Sequence, residues 1–193
     1  LDTEKNAMLL IELDGFESSM LTQQERVESA LIKANASKIE TKISLEEQEA
    51  VWTARRASFA ATAKLAPDVV SDDIIVPRDK LAQMVKGAKE ICDKFGLQVC
   101  IVGHVGDGNI HPQAALNLEN DNEFKNYIEA KSEMYKLATS LGGTISAEHG
   151  VGSEKISYIK NTVDEKALEY MKQIKKLFDP NNILNTGKIF KMD

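Results

Sequence analysis

Three histidines and one glutamate in the C-terminal half of the sequence are the residues best suited to chemistry. His104 and His111 stand in the segment GHVGDGNIHP, and His149 follows Glu148 in the segment SAEHG. Asp-Gly is a favoured two-residue hairpin loop, because a type I′ turn requires positive φ at both positions. If residues 107–108 form that loop, His104 pairs with His111, and their Cβ atoms lie ~4.5–5.5 Å apart on one face of the sheet.

These side chains could bind one metal ion. Two opposed imidazoles suit zinc, which binds nitrogen at about 2.0–2.1 Å and usually has three protein ligands in catalytic sites. Glu148 lies in a glycine-rich loop and is the natural third ligand. Two histidines with one carboxylate also suit Fe(II) or Mn(II), which leaves the identity of the metal open. The spacing alone fits equally well a pair of ordinary cross-strand histidines beside a solvated glutamate.

Hydrophobic periodicity and capping signals predict the elements that position these residues. Strands are predicted at residues 7–13, 39–43, 69–76, 99–105 and 109–116. Helices are predicted to begin at Thr22 and to cover residues 44–65, 81–95, 122–141 and 164–178, with a short helix near Glu154. Two pairs of residues have the spacing of a capping box, namely Thr22 with Glu25 and Ser44 with Glu47.

The order of elements predicts an α+β fold, because helices outnumber strands and one pair of strands forms a tight hairpin. We expect a largely antiparallel sheet covered by helices on one face, with split βαβ units of ferredoxin-like type and a C-terminal helical segment. A parallel doubly wound sheet is the weaker alternative, because the sequence has neither a GxGxxG turn after a strand nor a Walker A loop.

The composition excludes several classes of protein. A net charge of −6 argues against a nucleic-acid binder, which needs a basic face to neutralise phosphates. Cys92 and Cys100 fit neither a disulfide framework nor a zinc ribbon, and we interpret them as packing residues. No stretch is apolar for long enough to span a bilayer. Because the chain starts at Leu1-Asp2-Thr3, we expect it to be part of a longer protein whose targeting segment lies elsewhere.

Four segments resemble those of one enzyme family. They are VWTARRASFAATAKLAPDVVSDDIIVP, GHVGDGNIHP, TISAEHGVGSEK and FDPNNILNTGKIF. They are similar to the C-terminal region of FAD-linked oxidases of the vanillyl-alcohol-oxidase type. This family contains D-lactate dehydrogenase, D-2-hydroxyglutarate dehydrogenase and the matching component of glycolate oxidase. The resemblance implies a flavoenzyme whose FAD-binding domain precedes residue 1, so this chain alone is expected to show no turnover.

The resemblance also implies roles for the residues introduced first. The matching histidines and glutamate of the family hold a divalent metal, often zinc, and correspond here to His104, His111 and Glu148. His149 resembles the base that takes the hydroxyl proton of the substrate as hydride leaves C2 for flavin N5. These roles agree with general chemistry, because a metal lowers the pKa of a bound hydroxyl and a neutral imidazole accepts protons near pH 7.

Contacts with substrate and cofactor are implied as well. Arg55 matches the substrate-anchoring arginine of the family, and its guanidinium fork suits a carboxylate. Asn185 and Gly187 match a loop that approaches the flavin ring. Gln113 stands two residues after His111 and hence on the same face of its strand, which makes it a further candidate for contact with substrate.

Two positions depart from the family pattern. Thr186 stands where the family has proline, and Ala147 stands where it has glycine. Neither change removes a ligand, but each is expected to alter the shape of its loop. The predicted division of the chain is a substrate-binding cap domain at residues 1–145 and a helical segment at residues 146–193 that packs on the FAD domain.

The sequence thus predicts the substrate- and metal-binding part of an FAD-dependent dehydrogenase that oxidises a D-2-hydroxy acid of the D-lactate or glycolate type. Its expected partners are the hydroxy acid, the FAD-binding domain of the same parent chain, and an electron acceptor or iron–sulfur protein, in the cytoplasm or at the periphery of a membrane. Two alternatives are a non-catalytic metal- or ligand-binding regulatory domain of ferredoxin-like fold and a metal-dependent hydrolase that uses the same residues without flavin.

Overall fold

The computed structural model describes residues 7–192 of the chain. The segment Leu1-Asp2-Thr3, from which the sequence predicts a longer parent protein, lies outside the described residues. The chain divides into two units, Leu1–Ala57 and Ser58–Asp193. None of the helices within the described residues is long and apolar enough to cross a membrane.

The first unit is helical. Helix α1 spans Glu17–Lys33 and helix α2 spans Leu45–Arg56, and neither contains a buried residue. Ser44 Oγ accepts a hydrogen bond from the backbone N–H of Glu47 at 3.3 Å, and Glu47 Oε2 accepts one from the N–H of Ser44 at 3.4 Å. The capping box predicted for α2 is therefore confirmed.

Several elements predicted in this part of the chain are wrong. Residues 7–13 and 39–43 form no strand, because the described chain offers no neighbouring strand to pair with their backbone N–H and C=O groups. Helix α1 begins well before Thr22, since the preceding residues ESSML are themselves helical. The helix predicted to reach residue 65 ends at Arg56, and a separate short helix, α3 (Ser58–Thr62), follows. No glycine or proline marks this break in the sequence.

The second unit contains an open antiparallel sheet. Its strands are β1 (Asp68–Ser71), β2 (Ile74–Ile75), β3 (Gln98–His104) and β4 (Asn109–Leu116). All three other strands pair antiparallel with β4, which lies between β3 on one side and β1 with β2 on the other. The single strand predicted at residues 69–76 is interrupted at Asp72-Asp73, where the N–H of Asp73 bonds the side chain of Asp72 at 2.8 Å.

The predicted ferredoxin-like arrangement is visible in the connections between these strands. Helix α4 (Leu81–Lys94) joins β2 to β3, which are parallel to each other with β4 between them, so this is one split βαβ unit. Helix α5 (Asp121–Ser140) leads from β4 to Thr144, which forms an antiparallel bridge to Ile75 on the outer side of β2. The second split unit therefore ends in a single bridge, and the α+β prediction is confirmed.

The main core is formed by the sheet together with α4 and α5. Its most completely buried side chains come from all of these elements, for example Ile74 and Leu116 from strands, Met84 from α4 and Tyr135 from α5. The two helices approach closely at Gly87, where a Cβ would lie 2.4 Å from Leu137 Cδ2. This close packing fixes α4 and α5 in the core that they share with the sheet, on which two of the predicted site residues, His104 and His111, lie.

The C-terminal part adds a second, smaller core. A 3-10 helix at Ile156–Asn161 replaces the helix predicted near Glu154. Helix α6 (Glu165–Phe178) is capped by Asp164, whose side chain accepts a hydrogen bond from the N–H of Ala167, so the helix starts close to its predicted position. The small core consists of side chains from these elements and from the tail, namely Ile159, Leu168 and Phe190.

Candidate metal centre

The hairpin that carries two of the histidines has a turn of four residues, 105–108, and not the predicted two. The ladder places His104 opposite Asn109 and Val102 opposite His111, so the predicted pairing of the two histidines is wrong. The error is a shift of two residues, which keeps each side chain on its face because side-chain direction alternates along a strand. His104 and His111 therefore still meet, with ring centroids 5.4 Å apart.

The turn is wider than predicted because its last residue also pairs with the chain beyond β2. Gly108 has a φ of 78°, and its carbonyl oxygen accepts a hydrogen bond from the N–H of Val76 at 3.0 Å. A Cβ at Gly108 would lie 2.1 Å from Val76 O, so only glycine fits here. Within the turn, the N–H of Asp107 donates to His104 O at 3.0 Å. The spacing of the sequence does not reveal this contact, and the DG pattern alone favours the tighter loop.

One carboxylate oxygen faces all three imidazoles. Glu148 Oε1 lies 2.9 Å from His111 Nε2, 3.5 Å from His104 Nε2 and 3.9 Å from His149 Nε2. The rings of His111 and His149 are stacked, with centroids 5.0 Å apart and planes 11° from parallel. His111 is almost completely buried, whereas the side chains of His104, Glu148 and His149 are about half exposed, with relative accessibilities of 49%, 51% and 48%. The structure thus brings together the four residues that the sequence singled out.

The donor atoms of this cluster fit a divalent cation. His111 Nδ1 lies 3.2 Å from Asp72 O. A carbonyl oxygen only accepts hydrogen bonds, so Nδ1 carries the proton, and the lone pair of a neutral ring lies on Nε2. That lone pair then faces a carboxylate oxygen at 2.9 Å, an arrangement that requires a proton or a cation between the two atoms. Imidazole nitrogen and carboxylate oxygen suit zinc and also iron or manganese.

A fifth residue of the cluster, Asp73, was not predicted from the sequence. Its side chain is completely buried, and its carboxylate belongs to a group of ligand atoms from His111, Glu148 and His149 that all lie within 4.8 Å of one another. Asp73 Oδ1 is 3.9 Å from His111 Nδ1 and has no hydrogen-bond partner among the described residues. The one signal in the sequence is the pair of acidic residues at 72–73 inside an otherwise apolar strand pattern.

The other oxygen of Asp73 is saturated with hydrogen bonds. Oδ2 accepts from Ser146 Oγ at 2.9 Å and from the N–H groups of Ala147, Glu148 and His149 at 2.7, 3.0 and 3.0 Å. Burial by itself raises the pKa of the Asp73 carboxyl, but these hydrogen bonds favour the charged form, and the pKa is lowered overall. Asp73 is therefore a charged carboxylate in the interior.

A buried network of charges lies directly behind this carboxylate. Asp72 accepts hydrogen bonds from Tyr135 Oη at 2.8 Å on both carboxylate oxygens and lies 2.9 Å from Lys155 Nζ. The same ammonium donates to Asp73 O at 2.9 Å and to Ile145 O at 2.7 Å. Burial, followed by the negative charge of Asp72, raises the pKa of the Tyr135 hydroxyl. Lys155 thus ties the break between β1 and β2 to the start of the loop that carries Glu148.

The remaining predicted residues lie in three places. Gln113 is buried on β4, on the same face as His111, and its Oε1 accepts a hydrogen bond from Thr62 Oγ1 at 3.1 Å. Arg55 is half-buried in the last turn of α2, in the first unit of the chain. Asn185 and Gly187 are exposed in the C-terminal tail with left-handed backbones, at φ of 46° and 71°.

Comparison with known proteins identifies relatives along the whole chain. A family model described as FAD linked oxidases, C-terminal domain, matches residues 1–189. Glycolate oxidase subunit GlcD of Bacillus subtilis is 38% identical over 100% of this chain and 41% of its own length. Glycolate oxidase subunit GlcD of Escherichia coli K12 is 33% identical over 96% of this chain and 37% of its own length. The mitochondrial D-lactate dehydrogenase (cytochrome) of Arabidopsis thaliana is 30% identical over 94% of this chain and 32% of its own length. The chain therefore spans 41% or less of these three relatives.

Proposed function

We propose a reaction for this chain from one premise, that it belongs to the C-terminal domain family of the FAD linked oxidases. The reaction is the oxidation of a D-2-hydroxy acid, of the D-lactate or glycolate type, to the 2-oxo acid. The chain forms the substrate- and metal-binding part of the enzyme, and an FAD-binding domain in the rest of the parent protein completes it. Relatives named as a glycolate oxidase component and a D-lactate dehydrogenase support this substrate class.

The observation that carries the proposal is the convergence of the three Nε2 atoms on one oxygen of Glu148, at 2.9, 3.5 and 3.9 Å. In our proposal His104, His111 and Glu148 hold a divalent cation, which we take to be zinc. When bound, the cation would polarise the substrate hydroxyl, and the flavin would accept the hydride. The chain itself contributes binding, orientation and proton transfer.

His149 is the proposed base. Its ring stacks on His111, and His111 is in turn fixed by the contact of its Nδ1 with Asp72 O at 3.2 Å. The imidazole is therefore oriented, while about half of its surface remains open to a substrate. We propose that His149 Nε2, the nitrogen that faces the cluster, accepts the hydroxyl proton. A neutral imidazole is suited to this transfer near pH 7.

Two further side chains are proposed to orient the substrate. A guanidinium binds a carboxylate through two parallel hydrogen bonds, and Arg55 is proposed to anchor the hydroxy acid in this way. Gln113 is proposed to form the inner wall of the site next to His111. Its amide oxygen is held by Thr62 Oγ1, so its orientation is fixed.

The segment at residues 146–193 is proposed to pack on the FAD-binding domain. Helix α6 supports this proposal, because it exposes a row of large apolar side chains one turn apart, Tyr170, Ile174 and Leu177, with 53%, 58% and 77% of their surface accessible. In the same proposal Asn185 and Gly187, which the tail exposes, contact the flavin.

The test uses the whole protein that contains this chain, purified with its flavin. His104→Ala and Glu148→Ala are expected to lose the bound metal, and His149→Ala is expected to keep it. All three should slow reduction of the flavin by D-lactate or glycolate, and His149→Ala should do so by about 10²–10⁴-fold, the usual contribution of a general base. Metal content by mass spectrometry and flavin absorbance in stopped flow are the two measurements.

The matched control is Glu154→Ala, which removes an exposed carboxylate from the same loop region but not from the cluster. It should change neither metal content nor flavin reduction. Unchanged metal in both His104→Ala and Glu148→Ala would contradict the proposed ligands. A wild-type protein whose flavin is reduced by none of D-lactate, glycolate and D-2-hydroxyglutarate would contradict the proposed reaction.

A further inference from the structure

We propose that Asp73 is a positioning residue, whose buried carboxylate sets the conformation of residues 146–149 and thereby places Glu148 and His149 against His111. This inference rests on the proposed function, because it assigns the loop to the metal and base of that reaction. Asp73 is separated from the residues it bonds by 73 to 76 positions in the sequence. It is therefore a tertiary contact that the loop cannot provide for itself.

The geometry of the loop is fixed by the way its donors converge. Three consecutive backbone N–H groups, those of Ala147, Glu148 and His149, point at the single atom Asp73 Oδ2, at 2.7, 3.0 and 3.0 Å. Successive N–H groups around one anionic atom form a concave nest, and few combinations of φ and ψ bring them together. Because the backbone is fixed, the directions in which Glu148 and His149 leave it are fixed as well.

Consecutive residues at the start of the same loop, from 144 onward, are each bonded to residues in or next to the break that contains Asp73. Ile75 bridges Thr144 through two backbone hydrogen bonds of 3.3 and 2.9 Å. Lys155 Nζ then joins Asp73 O to Ile145 O, at 2.9 and 2.7 Å. The carboxylate of Asp73 accepts hydrogen bonds from the next four residues, 146–149. At the break between β1 and β2, the side chain of Asp73 therefore points at residues 146–149. The backbone oxygen of Asp73 is joined to Ile145, at the start of the same loop, through Lys155.

The position of Asp73 distinguishes it from a ligand. Nε2 is the atom of His111 that faces Glu148, whereas Asp73 Oδ1 lies 3.9 Å from Nδ1, the other nitrogen of the ring. Asp73 Oδ2 already accepts four hydrogen bonds. The carboxylate thus lies in the layer behind the ligands, where it orients the loop and places a negative charge beside His111.

The test compares Asp73→Asn with Asp68→Asn in the whole flavin-loaded protein. Both changes replace a carboxylate that accepts a backbone N–H by an amide of the same shape, but Asp68 bonds Leu118 N at 2.9 Å, away from the site. Loss of the charge should weaken the hold on the loop. We expect Asp73→Asn to lower the affinity for zinc by ~10–100-fold, the usual effect of changing a residue that orients metal ligands without binding the metal itself. Asp68→Asn should leave it unchanged, as measured by competition with a chromophoric chelator.

Two readouts separate positioning from general damage. Hydrogen exchange by mass spectrometry should show faster exchange at residues 147–149 in Asp73→Asn and not in Asp68→Asn. The absorption spectrum of cobalt-substituted Asp73→Asn should indicate the same number of metal ligands as that of the cobalt-substituted wild-type protein. If Asp73→Asn does not fold, Ser146→Ala removes one of the four donors and is expected to lower zinc affinity by about 2–5-fold.

Several outcomes would overturn the inference. These are unchanged exchange at residues 147–149 in Asp73→Asn, an equal loss of zinc affinity in Asp68→Asn, and loss of one ligand from the cobalt spectrum without a change in exchange. The last result would make Asp73 a ligand. If the wild-type protein binds no zinc, the proposed metal site fails, but the exchange measurement still decides whether Asp73 holds the loop.

Discussion

Asp73 and Asp179 each hold a loop through one buried carboxylate, but their partners lie at very different distances along the chain. Asp73 bonds residues 146–149, which are 73 to 76 positions away. Asp179 bonds the N–H groups of Ile183 and Leu184, four and five positions away, at 3.0 and 2.9 Å. Their side chains expose 0% and 4% of their surface, so burial alone does not distinguish them.

The cations that accompany the two carboxylates differ in the same way. Lys155 has a side-chain accessibility of 6% and connects Asp72, Asp73 and Ile145. Lys175 lies one helical turn before Asp179, with 24% of its side chain exposed, and pairs with that carboxylate. Asp179 and Lys175 therefore end a helix locally, whereas Asp73 and Lys155 act only after distant parts of the chain have assembled. The assembly with long-range contacts is the one that forms the candidate site.

The largest effect that tests this contrast is expected from Lys155→Met. Methionine keeps much of the volume but leaves two buried carbonyl oxygens without their ammonium partner. The carboxylate of Asp72 loses an ammonium at 2.9 Å and keeps that of Lys131, at 3.6 Å. We expect the free energy of unfolding to fall by about 3–5 kcal/mol, as is usual when one partner of a buried ion pair is removed. Urea unfolding followed by far-ultraviolet circular dichroism measures the change.

Lys175→Met is the matched control, because it removes an ammonium from the local ion pair with Asp179. Its expected loss of stability is much smaller, since partly exposed ion pairs contribute little to folding. Equal losses in the two variants would show that the long-range network is no more important to the fold than the local one.

An intermediate effect is expected from Asp164→Ala at the start of α6. Asp164 Oδ1 accepts a hydrogen bond from the N–H of Ala167 at 2.9 Å, three residues along the chain. Loss of such a cap usually costs about 1 kcal/mol. Asp121→Ala is the control, because Asp121 lies in the first turn of α5 while Asn120 provides the cap. Urea unfolding that finds Asp164→Ala as damaging as Lys155→Met would contradict the ranking of local below long-range contacts.

Local contacts are also the part of the fold that the sequence predicts best. The capping box of Ser44 and Glu47, and the bounds of the helix predicted at residues 164–178, are encoded within a few residues, and both are found close to their predicted positions. The strands predicted at residues 7–13 and 39–43 failed for the opposite reason. A strand requires a partner, and an apolar run cannot reveal whether the fold supplies one.

The candidate site follows the same rule. His104 and His111 were expected on one face from a register that was wrong by two residues, and they share that face only because the error was even. Glu148 was a candidate ligand by its residue type, but its assignment to the same site as the histidines, and the role of His149, came from the resemblance to a family and not from geometry. Asp73 could not be identified, because its four donors lie in a loop far away in the sequence, and nothing in the residues around Asp73 indicates that loop.

A smaller and more local effect is expected from Asp179→Ala. Removal of the carboxylate releases the N–H groups of Ile183 and Leu184, which should then exchange with solvent faster. Residues 147–149 should keep their exchange rates, because their hydrogen bonds go to Asp73. Hydrogen exchange by mass spectrometry measures both segments in one experiment. Faster exchange at residues 147–149 would mean that the two loops are coupled, and the contrast between them would fail.

The smallest effect concerns the titration of Asp179 itself. The hydrogen bond from Lys175, together with those from two backbone N–H groups, lowers the pKa of Asp179 from 3.8 to about 2. Because the pKa is lower in the folded state, the carboxylate stabilises the fold above about pH 4, and this contribution is lost as the pH falls towards 2. Lys175→Met should move the titration midpoint of the Asp179 carboxyl carbon, measured by NMR, upward towards 3.8.

Lys155→Met is the control for this titration. It should leave the midpoint of Asp179 unchanged, because Lys155 contacts Asp72 and Asp73. A midpoint that stays near 2 in Lys175→Met would show that the backbone N–H groups alone hold the charge of Asp179, as those of Ala147 and His149 help to hold that of Asp73.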